Sequence, residues 1–257
     1  MNFYKYQGTG NDFVMIDNRN KTFPIDNQLI KKLCDRRFGI GGDGLILLEN
    51  ADEADFKMVY FNSDGNESTM CGNGGRCIVA FAKFLSIFED YCKFIAIDGL
   101  HEAEISGNDV KLKMIEVDEI SGNNGQFVID TGSPHFVKFV ENLHEYPVYE
   151  KGKEIRNSLA FRENGINVNF VEILDENSIF VRTYERGVED ETLSCGTGAT
   201  ASALAFIKDK NLSEVNVNVL GGNLKIYAKK NHNSFKNIWL EGLATQVFFG
   251  TIDLNNF

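Results

Sequence analysis

Short apolar runs dominate the chain, and most have a strand's length rather than a helix's. Residues 45–49, 56–62, 93–97, 102–105 and 110–114 are rich in β-branched and aromatic side chains and are separated by Gly, Asn and Asp. The same style returns at 127–130, 167–174, 179–184, 214–219, 224–228 and 238–240, with a returning C-terminal strand expected within 244–257. Helical spacing is rarer. It predicts a helix over 26–35 and two more over 75–88 and 198–208, each just after a cysteine and apolar along one face or more. The pattern therefore predicts an α+β protein made mostly of sheet, with no low-complexity segment and no long linker.

The chain also contains itself twice. Glu67-Ser68-Thr69-Met70-Cys71-Gly72-Asn73-Gly74 and Glu191-Thr192-Leu193-Ser194-Cys195-Gly196-Thr197-Gly198 both fit E-[ST]-x-x-C-G-x-G. Upstream, Thr9-Gly10-Asn11-Asp12-Phe13-Val14 resembles Thr131-Gly132-Ser133-Pro134-His135-Phe136-Val137, at nearly the same offset and with one extra residue. Between these markers, 56–62 and 179–185 both read as a strand ending in a polar residue. Two ordered pairs of markers predict a duplicated half. The expected domains are 1–116 together with 244–257, and 117–243. Each is a sheet-rich unit around a central helix, and the two are related by pseudo-symmetry, with a shared cleft between them as the expected active site.

Length and charge narrow the partners. At 257 residues the chain is long for one core. A net charge of −11 argues against nucleic acid, which needs a basic footprint. The start lacks the pattern of a signal peptide, and the apolar stretch 78–88 is too short to span a bilayer and carries Lys83. Five cysteines in such a chain predict a reduced, cytoplasmic protein rather than a disulfide scaffold, with Cys34, Cys77 and Cys92 as small core residues.

Cys71 and Cys195 are different because each opens a helix. First-turn N–H groups have no partner inside a helix, and the helix dipole puts positive character there. Both effects favour a thiolate, which makes the sulfur a usable base. The Gly-x-Gly that follows lets backbone N–H groups approach an anion such as a carboxylate. Two such units facing each other could clamp one carboxylate and place a sulfur on each side of the adjacent carbon. That geometry suits stereoinversion, in which one sulfur removes a proton and the other returns one to the opposite face. Other readings of the glycines and cysteines are weaker. Cys71 and Cys77 have five intervening residues, outside usual zinc-ligand spacing. Gly39-Ile40-Gly41-Gly42-Asp43-Gly44 matches G-x-G-x-x-G but precedes a strand instead of following one. Residues 196–201 match G-x-G-x-x-A and open a helix, but the polar loop 186–194 separates them from the preceding strand.

Taken together, these segments resemble diaminopimelate epimerase. The resemblance rests on Gly8-Thr9-Gly10-Asn11-Asp12-Phe13, Phe38-Gly39-Ile40-Gly41, Phe61-Asn62-x-Asp64-Gly65, Cys71-Gly72-Asn73-Gly74-Gly75-Arg76-Cys77, Asn167-Val168-Asn169-Phe170, Tyr184-Glu185-Arg186-Gly187 and Cys195-Gly196-Thr197-Gly198. They run collinearly along essentially the whole chain. The resemblance implies interconversion of LL- and meso-diaminopimelate in lysine biosynthesis, with no pyridoxal phosphate and no metal. It implies Cys71 and Cys195 as the acid–base pair, with His135 and Glu185 beside the thiols. It implies that the backbone at Gly72-Asn73 and Gly196-Thr197 holds the reacting carboxylate. Asn11, Asn62, Asn167, Glu185 and Arg186 then contact the substrate, with the Arg186 guanidinium suited to a distal carboxylate. A homodimer is the expected assembly, with no membrane or nucleic-acid partner.

The chain departs from the family at two points. Many members have Gly-Asn-Pro-His where this chain has Gly132-Ser133-Pro134-His135, and many have Gln where Gly44 stands. A proline or hydroxyproline racemase-like enzyme is the nearest alternative; Arg186 and the asparagines favour a substrate with a second charged end. An isomerase of the phenazine-biosynthesis type lacks paired catalytic thiols, and a non-catalytic binding module has no use for them.

Overall fold

The computed structural model describes residues 1–257. In chain order the elements are β1 (Asn2–Gly8), β2 (Asn11–Asp17), α1 (Asn27–Cys34), β3 (Gly44–Glu49), β4 (Phe56–Asn62), α2 (Gly72–Phe84), β5 (Tyr91–Ala96), β6 (Gly99–Ser106), β7 (Asp109–Lys113), β8 (Ser121–Asn123), β9 (Gln126–Asp130), β10 (Pro134–Phe139), α3 (Val148–Arg156), β11 (Asn167–Ile173), β12 (Ser178–Glu185), β13 (Asp190–Thr192), α4 (Gly196–Ile207), β14 (Glu214–Val219), β15 (Gly222–Asn231), β16 (Ser234–Leu243) and β17 (Thr245–Thr251). The chain divides into two compact units, Met1–Leu112 with Gly242–Phe257, and Lys113–Glu241.

In the first unit the strand order is β17-β1-β2-β3-β4-β5-β6-β7. The pairs β2–β3 and β4–β5 are parallel and the others antiparallel. Strand β3 is buried at every position, as a central strand covered on both faces must be. Alternation sorts its side chains. Leu45 and Leu47 join Val14, Ile16, Ile30 and Leu33 in the core under α1, while Ile46 faces Gly74 on α2. Helix α2 packs on β1, β2, β3 and β4 and also touches β6 and β17, so the sheet curves round the helix.

The second unit repeats this plan. Its order is β8-β9-β10-β11-β12-β14-β15, followed in the chain by β16, with β10–β11 and β12–β14 parallel. Each of these strands has a counterpart with the same pairing sense in the first unit: β8 with β17, β9 with β1, β10 with β2, and so on to β15 with β6. Helix α4 contacts β9, β10, β11, β12, β14 and β15. It is buried at almost every position, as a helix apolar all round must be. The duplication read from two sequence markers is therefore a duplication of topology.

Several boundaries differ from those expected. The helices predicted at 75–88 and 198–208 begin at Gly72 and Gly196, so the Gly-x-Gly segments form the first turn. Helix α2 also stops at Phe84, short of residue 88. Ser86 takes φ 57°, its N–H bonds Lys83 O at 2.9 Å, and the Ile87 N–H bonds Ala82 O at 3.1 Å, which is a Schellman stop. Helix α3 carried no expectation because its apolar stripe is thin and interrupted by Gly152. The glycine is required there: a Cβ would lie 2.3 Å from Cβ of Tyr184. The glycine run 39–44 precedes β3, and the N–H groups of Ile40, Gly41 and Gly42 bond the last carbonyls of α1 at Leu33 and Cys34.

The Schellman stop generates a stability prediction. Ser86 holds a left-handed conformation that costs a non-glycine residue roughly 1–2 kcal/mol. Ser86→Gly should raise unfolding stability by about 1 kcal/mol in denaturant titration. A loss of stability would contradict the assignment of residue 86 as the helix stop.

Candidate active site

Both reactive-type cysteines cap a helix with their backbone and leave the thiol out of the cap. Cys71 (φ −97°, ψ 132°) and Cys195 (φ −121°, ψ 112°) are the N-cap residues of α2 and α4, and neither side chain makes a capping bond. The first helical bonds run from Gly75 N–H to Cys71 O (2.7 Å) and from Ala199 N–H to Cys195 O (2.8 Å). The preceding N–H groups of residues 72–74 and 196–198 have no carbonyl four residues back inside the helix. Cys71 is half-buried and Cys195 only slightly exposed. The remaining thiols are core groups, as expected: burial pushes Cys34, Cys77 and Cys92 up to about 12, far from any role as a base at neutral pH.

In each unit a Thr-Gly turn holds the helix start. Thr131 donates from Oγ1 to Thr197 O (2.9 Å) in the second unit. In the first, Thr9 Oγ1 lies 3.4 Å from Asn73 Oδ1. The upstream sequence marker therefore has a structural meaning, since it is the brace of the cysteine turn.

Around Cys71, Asn11 is a polar neighbour. Its Oδ1 lies 3.7 Å from Cys71 Sγ and accepts from Asn73 Nδ2 at 3.4 Å. Its Nδ2 donates to Asp43 Oδ2 at 2.5 Å, which fixes the amide orientation. Asp43 and Asp12 are held by Arg36, and Lys5 bridges to Asp12 at 2.7 Å. These cations hold the Asp12 carboxyl well below the usual carboxylate range. Asn62 ends β4, half-buried and opposite Gly44 in the ladder. Where the family's Gln would project, the Tyr60 ring covers Gly44: a Cβ there would lie 2.5 Å from Tyr60 Cε2.

Around Cys195 the polar groups are different ones. His135 on β10 is paired with Asn167 on β11, and the next register step beyond Val168–Tyr184 brings Glu185 beside Asn167. His135 is fully buried, and its Cε1 would lie 3.3 Å from a Cβ on Gly198, so the ring rests on the first turn of α4. Asn169 Nδ2 donates to His135 Nδ1 (3.0 Å) and to Phe136 O (3.2 Å), and Asn169 Oδ1 accepts from Thr183 Oγ1 (2.9 Å). An acceptor at Nδ1 leaves the proton on Nε2, which faces Ser133 Oγ at 3.4 Å. Burial lowers His135 to about 3, so the ring is neutral at ordinary pH. Burial raises the Glu185 carboxyl, with the Thr192 hydroxyl pulling the other way. Cys195 Sγ lies 3.4 Å from Thr197 Oγ1.

Asn167 is also bonded within its own unit. Its Nδ2 donates to Ser133 Oγ (2.7 Å) and Pro134 O (3.3 Å), and its Oδ1 accepts from the Arg186 N–H (2.8 Å). It ties the Thr-Gly turn to the Glu-Arg-Gly turn, leaving one Oδ1 lone pair for anything else. Arg186 is exposed and anchored by one bond from Nη1 to Asn164 O (2.9 Å). Sequence reasoning gave no role to Asn169, Thr9, Thr131 or Arg76. The visible signal for Arg76 was a charge just ahead of the apolar run 77–82 of its helix.

Comparison with known proteins supplies the family. The chain matches the family described as diaminopimelate epimerase over residues 3–119 and 127–245, one match in each half. It is 55% identical to a diaminopimelate epimerase of Flavobacterium psychrophilum over 98% of this chain and 100% of the relative. It is 42% identical to one from Chlorobaculum tepidum over 96% and 99%. Among solved structures, it resembles a PhzF-family phenazine biosynthesis protein of Bacillus anthracis, with TM-score 0.77, 16% identity and 98% and 99% coverage. It also resembles a hydroxyproline epimerase of Agrobacterium vitis, with TM-score 0.71, 13% identity and 97% and 91% coverage. At these identities the two structures speak for the fold alone. The duplicated topology, the paired helix-capping cysteines and the whole-chain identity agree: this chain belongs to the diaminopimelate epimerase family.

Proposed function

We propose that this isomerase interconverts LL- and meso-diaminopimelate by proton transfer through Cys71 and Cys195. The observation that carries the reading is that each topologically matched unit presents a cysteine as the N-cap of a helix opening with Gly-x-Gly. One sulfur, as thiolate, removes the α-proton; the other, as thiol, delivers a proton to the opposite face. Both must reach the same α-carbon. The protonation states then stand exchanged, ready for the reverse direction.

The difficult species is the carbanion-like transition state, whose charge spreads onto the α-carboxylate. First-turn N–H groups at Gly72-Asn73 and Gly196-Thr197 are suited to bind that carboxylate and to stabilise the charge as it develops. Removing one such donor in comparable sites costs about 3–4 kcal/mol. His135, neutral and resting on the first turn of α4, and Glu185, whose carboxyl burial raises, suit exchange of the second thiol's proton with the surroundings. Asn11 and Asn62 on the first unit and Arg186 on the second suit the distal amino-acid group, with Asn167 fixing the backbone from which Arg186 projects. The chemistry as written uses acid–base groups alone and calls on neither pyridoxal phosphate nor a metal.

The same reading includes a cytoplasmic homodimer. No helix is long and apolar enough to cross a membrane. Support for the dimer comes from β17, which ends the first unit's sheet order and exposes Val247, Phe248 and Phe249. Sedimentation equilibrium should return twice the chain mass, with Phe249→Lys shifting it towards the monomer. A monomeric parent protein would contradict the assembly.

The activity is tested with purified protein and LL-diaminopimelate, followed by chiral chromatography. Meso product should form, and proline should not racemise. Cys71→Ala and Cys195→Ala should each lower turnover by about a thousandfold or more, since each removes one face's proton carrier. Turnover within about tenfold of the parent in either variant, or comparable proline racemisation, would sink the proposal.

A further inference from the structure

Arg76 on α2 is fully buried, yet it has no carboxylate partner. Its Nη2 donates to Thr9 Oγ1 and Asn73 Oδ1, both at 3.0 Å, and its Nη1 donates to Gly72 O at 3.3 Å. Its Nε is buried and bonds to nothing. Every acceptor is neutral. Burial pushes the guanidinium below its ordinary value, but that value is high enough for it to stay charged. A buried, uncompensated cation is strongly unfavourable unless an anion approaches it at some stage. Cys71, at the start of the same helix, is close enough to favour that charge electrostatically, as is Cys77. Cys77 is held neutral by burial, which leaves Cys71 as the thiol able to ionise.

The same guanidinium helps set the orientation of the side chains beside Cys71. A guanidinium only donates, so Asn73 must turn Oδ1 towards Arg76 and Nδ2 towards Asn11. A carboxylate only accepts, so Asn11 must turn Nδ2 towards Asp43. The chain Arg76–Asn73–Asn11–Asp43 thus runs from a cation to an anion with every amide aligned. Asn11 Oδ1, not Nδ2, therefore faces Cys71 Sγ, where it accepts from the thiol and opposes ionisation; Asp43 holds that orientation with or without Arg76, so the Arg76 charge is the part of the device that favours the thiolate.

The second unit lacks this device. Thr200 stands at the matched helix position and donates from Oγ1 to Gly196 O at 2.9 Å, as Arg76 does to Gly72 O. The strand positions matched to His135, Asn167 and Asn169 are Phe13, Gly44 and Ile46. The two thiols therefore have differently built surroundings: a buried cation behind one, neutral hydrogen-bonding groups behind the other.

We propose that Arg76 is a positioning residue for Cys71, favouring its thiolate form from behind the α2 N-terminus and fixing the Asn73 amide beside it. The inference rests on Cys71 being one of the two reacting thiols. Other titratable groups on the elements packed against α2 do not supply the charge. On β1, Tyr6 is pushed up by burial and Lys5 is paired with Asp12 of β2. On β3, Glu49 bonds Asn18. On β4, Tyr60 packs by its ring against Phe13, and Lys57 shares the face of Val59, away from α2. On β6, His101 pairs with Asp98, Glu102 bonds Tyr91, and Glu104 is exposed. Strand β17 carries no titratable group.

The test reads the thiols directly, apart from turnover. Alkylation by iodoacetamide is followed against pH at Cys71 and Cys195 by peptide mass spectrometry, in the parent, Arg76→Met and Arg76→Lys, with circular dichroism as the check of fold. Arg76→Met should raise the Cys71 midpoint by about one pH unit, roughly tenfold slower labelling below it, and leave Cys195 unmoved. Arg76→Lys, which keeps the charge, should leave the Cys71 midpoint near the parent's. An unmoved Cys71 midpoint in folded Arg76→Met, or equal shifts at both cysteines, would overturn the proposal. Should Arg76→Met not fold, a one-unit rise in folded Arg76→Lys would overturn it equally. Parent-level turnover at neutral pH in Arg76→Met with the Cys71 midpoint raised as expected would count against the epimerase mechanism, not against the role of Arg76.

Discussion

A helix enclosed by a sheet still has to begin, and its first-turn N–H groups find no partner within it. Much of this protein's organisation follows from how that constraint is met. In both units the N-cap is a cysteine whose side chain does not close the turn, and the next residues are Gly-x-Gly, which add almost no side chain over it. A Thr-Gly turn braces each start, from Thr9 in one unit and Thr131 in the other. The sheets bury the rest of each helix, so the donors concentrate at one end beside a sulfur. That end suits an anion and a thiolate together.

Much of this was legible in the chain. Two sequence markers sufficed for the duplication, because the residues that brace and cap the helix cannot vary freely without losing the turn. Strand 56–62 and strand 214–219 fall where the alternation of apolar and polar residues puts them. What was not legible depends on tertiary contact. The first turns of α2 and α4 read as loop because glycine has poor helix propensity, yet packing inside the sheet overrides it. Helix α3 was hidden by Gly152, which is needed for contact with Tyr184. The second task of Asn167 was hidden too: besides its expected contact with substrate, its amide ties Ser133 and Pro134 to the Arg186 N–H, a link that only the fold brings together.

The duplicated plan is filled unequally. One thiol has Arg76, Asn73 and Asn11 behind it; the other has His135, Asn169 and Glu185 in its unit. An enzyme that inverts one carbon in both directions needs two bases that alternate in protonation, and no symmetry requires them to be tuned by the same groups. Ser133 fits this picture as well. It is shorter than the asparagine common in the family, and it is held between Asn167 and the ring of His135.

The central claim, two separate proton carriers at one carbon, is tested most directly by running the reaction in deuterium oxide and examining the first few per cent of conversion. Each face then exchanges through its own thiol. The account predicts meso-diaminopimelate carrying deuterium at the inverted carbon, while the recovered LL-substrate is still protiated. Product that retains the original proton, or deuterium appearing equally in product and recovered substrate, would show a single shared base and contradict it.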